Sequence, residues 1–283
     1  MITSLAPAKI NLTLEVVGRR SDGYHEISSV VQSIGLCDEL TFASADELSL
    51  SSSGLDIAHE DNLVLKAARL VRQAGGKAFG AAITLKKAIP AAAGLGGGSS
   101  DAAATLMALN RLWGLSLSRD DLVGLAARLG SDVPFFIYGG TCLVEGKGEK
   151  VSPILAMASP KWVVMLCPDI PLPEKKTQEM YRSLEAADFT DGRYTVRMVQ
   201  ELTRAGRVSG ELLFNVFEKV ALRVIPALGS YWNVMQNAGS AKVSLAGSGP
   251  VLFSLFSSPA EAQKLYDRLL SGGYRVYLVQ TLN

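Results

Sequence analysis

Residues 9–16 alternate apolar and polar side chains without a break. Ile10, Leu12, Leu14 and Val16 fall on one face; Lys9, Asn11, Thr13 and Glu15 share the other. A period of two predicts a strand with its aliphatic face toward a core. It also sets Lys9 and Asn11 side by side. A turn is predicted over 19–23, then strands near 27–34 and 39–43, and a strand plus loop over 47–57. Asp61 or Asn62 can cap a helix running to about Arg72 and closed by Gly75-Gly76. Residues 81–86 read as a strand feeding a glycine-rich run, and the helix after that run extends to Trp113 and stops at Gly114. Ser118 caps the next helix, with Asp121 at its third position as an acidic capping-box variant. Leu122, Leu125, Ala126 and Leu129 form its apolar stripe, and Gly130 ends it. Residues 141–144 and 150–154 look extended.

A second set of elements begins near 156–160. Residues 162–167 read as a buried strand, and helices are expected over about 176–186, 195–205 and 214–224. Apolar strands over 243–246 and 251–256 flank Gly247-Ser248-Gly249-Pro250, a hairpin-turn candidate. Ser258 and Pro259 start a last helix, and 275–279 close as a strand. No internal repeat is visible. The pattern describes two mixed α+β lobes, roughly 1–155 and 156–283.

Composition narrows the classes. The chain has 283 residues, 48% hydrophobic and 19% charged, so it is long enough for two lobes with substantial cores and argues against disorder. A net charge of +1 supplies no basic field for nucleic acid. Cys37, Cys142 and Cys167 are widely spaced, and His25 and His59 are the only histidines, so no zinc-ligand spacing exists. Buried free thiols in a reducing compartment are the expectation. The N-terminus lacks the basic start and apolar core of a signal peptide. No run reaches the ~18 apolar residues of a membrane span. These features predict a cytoplasmic protein without a membrane partner.

The chemistry starts at Pro90-Ala91-Ala92-Ala93-Gly94-Leu95-Gly96-Gly97-Gly98-Ser99-Ser100-Asp101, which runs into an alanine-rich helix former. Glycines free the backbone to approach a ligand, and a loop that opens a helix offers unpaired amides and a favourable dipole to an anion. It is not a Walker A loop, because Ser99 follows Gly98 where the lysine is required. It fits the dinucleotide fingerprint poorly, with serine at the third glycine position. A surface linker is the bland alternative.

Phosphoryl transfer also needs a cation and a base for the acceptor hydroxyl. Lys9 lies in a largely apolar stretch, where a solvated lysine is unexpected; an exposed ion pair is its plain alternative. Asp132, in Gly130-Ser131-Asp132-Val133-Pro134, is the base candidate and equally a cap for a short turn. Gly247-Ser248-Gly249 is either a hairpin or an amide cradle. Tyr24 and His25 can stack on and hydrogen-bond a planar base, or simply pack.

Together, Pro7-Ala-Lys9-Ile-Asn11, Gly18-Arg-Arg-x-Asp22-Gly23-Tyr24-His25-Glu26, Asn62-Leu-Val, the loop at 90–102, Leu129-Gly-Ser-Asp132-Val-Pro134 and Gly247-Ser-Gly249 resemble the GHMP kinase superfamily. Gly23-Tyr24-His25 resembles its cytidine-recognising branch. The resemblance implies a two-lobed α+β fold, with a ribosomal-protein-S5-like N-terminal lobe and a ferredoxin-like C-terminal lobe. It implies ATP-dependent phosphorylation of a tertiary 2-hydroxyl on a methylerythritol unit that carries cytidine diphosphate. Asp132 would be the base and Lys9 its partner. Gly94, Leu95, Gly96, Gly97, Gly98, Ser99 and Ser100 would hold the triphosphate, with Asn62 and Lys87 near the adenosine end. Tyr24 and His25 would take the cytosine, Asn11 would lie near the acceptor, and Thr177 and Tyr181 would close the cytidine pocket. Gly247 and Ser248 would face the substrate. Mg²⁺ would come with ATP, held mainly by phosphates. Ala91-Ala92-Ala93 stands where more glycine is common, and Lys175-Lys176 where small residues are usual. A kinase for homoserine or mevalonate, and a non-catalytic nucleotide- or sugar-binding regulator, are the competing readings. The oligomeric state stays open.

Overall fold

The computed structural model describes residues 1–53, 62–76, 79–154, 157–208 and 210–283. The expected lobe boundary at 155/156, the Asp61 cap alternative and residues 54–57 lie outside them. In chain order the elements are β1 (Ile2–Arg19), β2 (His25–Ala45), β3 (Leu48–Ser53), α1 (Leu63–Ala74), β4 (Gly80–Lys86), α2 (Gly97–Leu112), α3 (Arg119–Leu129), α4 (Val133–Tyr138), β5 (Thr141–Gly146) and β6 (Lys150–Pro153). Then come β7 (Trp162–Leu166), α5 (Lys176–Arg182), α6 (Arg193–Ala205), β8 (Phe214–Asn215), α7 (Phe217–Val224), α8 (Leu228–Asn237), β9 (Ser244–Leu245), β10 (Leu252–Phe256), α9 (Pro259–Ser271) and β11 (Val276–Gln280). They group into two compact units, each assembled from separate stretches of chain, because β1 and β2 each pass from one unit into the other.

The first unit comprises Met1–Ala8, Leu36–Ala91 and Gly96–Gly139. Residues 39–45 of β2 pair antiparallel with β4, and β3 pairs parallel with β4. The Asn62 side chain accepts the Val64 amide and caps α1, and the Ser118–Asp121 capping box closes the start of α3 as its spacing predicts. Leu122 and Ala126 of the α3 stripe are buried. The loop helix differs from expectation: α2 begins at Gly97, inside the glycine run.

The second unit comprises Lys9–Gly35, Ala92–Leu95 and Gly140–Asn283. Residues 27–32 of β2 pair antiparallel with β5, β5 pairs with β6, and β8 lies parallel to β1 at Thr13 and Leu14. A four-stranded antiparallel sheet runs β11-β7-β10-β9. Its β9–β10 pair confirms the hairpin about residues 247–250.

Three readings need correction. The strands expected at 27–34 and 39–43 are one continuous strand, β2. The helix expected over 214–224 gives its first two residues to β8, and Asn215 is the reason. Its Oδ1 accepts the Phe217 amide at 2.9 Å, and its Nδ2 donates to the Leu245 and Gly247 carbonyls at 2.9 and 2.8 Å. The side chain thus starts α7 and holds the hairpin. Finally, α8 was not expected, since Gly229, Ser230, Tyr231, Trp232 and Val234 are mediocre helix formers. It is anchored instead by the buried Leu228 and Met235.

Candidate active site

The anion-binding potential of α2 is visible in its first turn. Gly96, the N-cap, is left-handed at φ 73°, and no side chain caps the helix. By contrast α1, α3 and α9 are capped by Asn62, Ser118 and Ser258. Ser100 N makes the first intrahelical bond, to Gly96 O at 2.9 Å. The amides of Gly97, Gly98 and Ser99 therefore have no acceptor within the helix. Ser100 Oγ and Asp101 Oδ1 are buried and lack a hydrogen-bond partner among the described residues. Leu95, the apolar member of the run, is buried.

Lys87 sits against this turn: its Nζ would lie 3.3 Å from a Cβ placed on Gly97. It bridges two buried carboxylates, Asp101 Oδ2 at 2.7 Å and Asp38 Oδ2. Asp38 Oδ1 also accepts the Ala88 and Ile89 amides at 2.6 and 2.9 Å. Burial pushes the Asp101 carboxyl up to about 7, against the attraction of Lys87. Lys87 therefore reaches the loop as part of a buried acid–base–acid group. Nothing in the sequence pattern marked Asp38 or Asp101 for that role. Asn62 is buried and committed to its cap.

Asp132, also in the first unit, stands immediately before α4 and is exposed. Its side chain does not cap that helix. Its setting is apolar on the helix side, where Val133, Pro134, Phe135 and Phe136 are all buried.

In the second unit the polar face of β1 is buried: Lys9 is 6% exposed and Asn11 5%, and Thr13 and Glu15 are fully enclosed. The two-sided burial is affordable because the face is hydrogen-bonded. Lys9 Nζ donates to Asn11 Oδ1 at 2.8 Å, Asn11 Nδ2 donates to Ser29 Oγ at 2.9 Å, and Ser29 Oγ donates to Thr13 O at 2.5 Å. Thr13 Oγ1 lies 2.9 Å from Thr195 Oγ1, and Glu15 Oε2 accepts the Thr195 amide at 2.7 Å.

The glycine-loop limb and the hairpin meet beside Lys9. Its amide donates to Leu95 O at 2.9 Å. Gly94 has φ 81°, and a Cβ there would strike the Ala246 carbonyl oxygen, so only glycine fits. A Cβ on Gly247 would stand 3.2 Å from Lys9 Nζ. Ala92 is left-handed at φ 53° despite its Cβ. Thr177 Oγ1 lies 2.9 Å from Ser248 Oγ, and Lys176, missed at the sequence level, donates to the Ala92 and Gly249 carbonyls.

A separate aromatic cluster joins His25 to Tyr181, stacked at 5.0 Å between centroids, with Phe189 edge-on to His25 and Phe217 edge-on to Tyr181. Tyr24 is 55% exposed, with Lys147 Nζ 4.8 Å from its ring centre. His25 Nε2 is buried without a partner among the described residues. Burial first, and the Arg19 charge second, hold His25 below its usual pKa.

Two family models match the chain: the GHMP kinases N-terminal domain over residues 62–140 and the GHMP kinases C-terminal domain over 198–275. A 4-diphosphocytidyl-2-C-methyl-D-erythritol kinase of Dehalococcoides mccartyi is 44% identical over 283 residues, covering 100% of this chain and 99% of the relative. A crystal structure of 4-(cytidine 5'-diphospho)-2C-methyl-D-erythritol kinase aligns with a TM-score of 0.84 at 34% identity, covering all of both chains. A homoserine kinase of Cytophaga hutchinsonii aligns with a TM-score of 0.73 over 99% of this chain and 94% of that one, at 19% identity, a likeness of fold alone. Full-length identity at that level, on the fold just described, makes this chain a member of the GHMP kinases and, within them, of the 4-diphosphocytidyl-2-C-methyl-D-erythritol kinase family.

Proposed function

We propose that this chain transfers the terminal phosphoryl group of ATP to the 2-hydroxyl of 4-diphosphocytidyl-2-C-methyl-D-erythritol, a step in isoprenoid precursor synthesis. The observation that carries the reading is the uncapped first turn of α2, whose amides are left to a ligand, whereas α1 and α3 are capped by side chains and the first-turn amides of α6 at Arg193 and Thr195 are taken by Asp191 and Glu15. Phosphoryl transfer demands positioning and charge stabilisation more than covalent chemistry. In this reading Gly94–Ser100 grips the triphosphate, with Asn62 and Lys87 toward the adenosine end. Asp132 takes the proton of the acceptor hydroxyl, an exposed carboxylate well suited to a proton that must finally reach water. Lys9, oriented by Asn11, neutralises charge that builds on the transferring group. Asn11 lies beside the acceptor alcohol, and Gly247 and Ser248 face the same end of the substrate.

The aromatic cluster supports cytidine recognition. Burial favours the uncharged form of His25, and its partnerless buried nitrogen is a hydrogen-bonding group that a pyrimidine edge would satisfy. Tyr24 presents an exposed ring face for stacking, while Tyr181 and Thr177 close the pocket. A cytidine diphosphate group is what separates this substrate from homoserine and mevalonate. The two functional lobes are taken as 1–155 and 156–283.

Among the described residues no group of three or more His, Cys, Asp and Glu side chains is gathered to hold a metal. The partnerless Ser100 Oγ and Asp101 Oδ1 fit Mg²⁺, which takes one or two protein oxygens and keeps phosphates and waters for the rest. Bound there, Mg²⁺ would neutralise phosphate charge. No helix of the described residues is long and apolar enough to cross a membrane; we place the enzyme in the cytoplasm.

The test is turnover by the purified protein with ATP and each of three alcohols: the cytidylyl methylerythritol, homoserine and mevalonate. The expected product is a new phosphomonoester on the 2-hydroxyl, seen by phosphorus NMR with the first alcohol only. Turnover of homoserine or mevalonate in its place would overturn the assignment.

A further inference from the structure

Lys176 opens α5 and is only 6% exposed. Its Nζ donates to Ala92 O at 2.9 Å and to Gly249 O. The next residue, Thr177, pins the same hairpin through Ser248. Among the described residues no carboxylate pairs with Lys176; both its partners are neutral carbonyls. A buried ammonium normally has a counter-charge, because neutral dipoles alone offset little of the lost hydration.

A second cation makes the imbalance worse. Lys9 Nζ lies beside Gly247, two residues along the hairpin from the carbonyl that holds Lys176. Burial first, and the Lys9 charge second, pull the Lys176 ammonium down to about 8. A clamp joining the loop limb to the hairpin would need only a neutral donor. The charge itself is unexplained until an anion is present.

We propose that Lys176 binds a phosphate group of the bound reactants, as a second phosphate-neutralising cation alongside Lys9. Two of its three N–H bonds fix its position on the Ala92 and Gly249 carbonyls, and the third is left for a phosphate oxygen. Its residue type departs from the small residues that the family resemblance leads one to expect there. The inference rests on the phosphoryl-transfer reading above. The phosphate belongs either to the substrate diphosphate or to the nucleotide.

Calorimetric titrations separate these sources. Wild-type protein, Lys176→Met and Lys176→Gln are each titrated with CDP, cytidine, AMP-PNP and adenosine. Glutamine keeps N–H donors for the two carbonyls and drops the charge, so it also serves if the methionine variant does not fold. The expected result is a loss of about tenfold to a hundredfold in affinity for a phosphorylated ligand, the scale of one charge-assisted hydrogen bond. Cytidine and adenosine binding stay within twofold, and Lys176→Arg restores most of the loss. A loss for CDP alone assigns the contact to the substrate diphosphate; a loss for AMP-PNP alone assigns it to the triphosphate. Unchanged binding of both phosphorylated ligands overturns the proposal, as does an equal loss for the nucleosides, which would mark a purely structural lysine. Wild-type protein that binds neither CDP nor AMP-PNP would instead bring down the phosphoryl-transfer reading itself.

Discussion

Lys9 and Asn11, two residues apart on one face of β1, are joined by a hydrogen bond of 2.8 Å from Nζ to Oδ1. The amide of Asn11 is oriented in turn by Ser29 Oγ, itself bonded to Thr13 O. The ammonium therefore rests on a buried chain in which each member fixes the next. Ser29→Ala leaves a buried amide donor unsatisfied, a cost of ~1–3 kcal/mol. The expected outcome is a lower melting midpoint and a kcat reduced several-fold with little change in KM for ATP. Unchanged kcat in that variant would show that Asn11 orients Lys9 unaided.

Asp132→Asn tests the base. Loss of a positioned general base lowers rates by roughly 10²–10⁴. Binding of AMP-PNP, measured by calorimetry, should stay near the wild-type value, because the proposed triphosphate contacts come from the loop at 94–100. Turnover close to wild type in this variant removes Asp132 from the mechanism.

Gly94→Ala and Gly247→Ala probe the join between loop limb and hairpin. The first forces a left-handed residue and a collision with Ala246 O, at ~1–3 kcal/mol for the backbone conformation alone. It should lower the melting midpoint by several degrees and abolish turnover. The second also forces a left-handed residue, sets its Cβ 2.8 Å from Gly94 O and crowds Lys9 Nζ at 3.2 Å, so it should lower both the melting midpoint and kcat. Wild-type turnover in either variant, measured by steady-state rates beside calorimetric melting, would count against a site at this join.

The carboxyl of Asp101 supplies a pH dependence. It rises from 3.8 to about 7 on folding, chiefly through burial. The folded chain thus holds this proton more tightly than the unfolded one. The stability it contributes is complete at acid pH and is lost as pH climbs from about 4 through about 7. Asp101→Asn removes that titration while keeping a similar shape. Its melting midpoint should fall less than the wild-type value between about pH 5 and pH 8. A residual slope stays, since Glu218 is raised to about 7 by the same cause. Parallel pH profiles for the two proteins would show that Asp101 is ionised throughout.

Much of the fold was legible wherever local chemistry decides it. The Ser118–Asp121 box, the Asn62 cap and the alternation over residues 9–16 all stand in the structure as read. Legibility failed where tertiary partners decide. The strands expected at 27–34 and 39–43 run on as one β2, in which the polar Ser29, Gln32 and Ser33 are buried. The polar face of β1 was readable as a face, not as an interior one. Its burial depends on Ser29 and Thr195, residues far away in sequence. In the candidate site, Lys9, Asn11 and the loop stood out by their spacing. Asp38 and Lys176 did not, because an isolated aspartate before a glutamate and one lysine of a pair carry no pattern. Only the fold brings Asp38 to Lys87, and Lys176 to two carbonyls.

The bare start of α2 has a practical corollary. In the proposed site its hold on a phosphate would come from the peptide chain, since no side chain caps the turn. Truncating the Ser99 side chain would leave those main-chain donors in place and so pass over them. A substitution at 97–99 would then act through the path it imposes on the main chain rather than through the group it attaches.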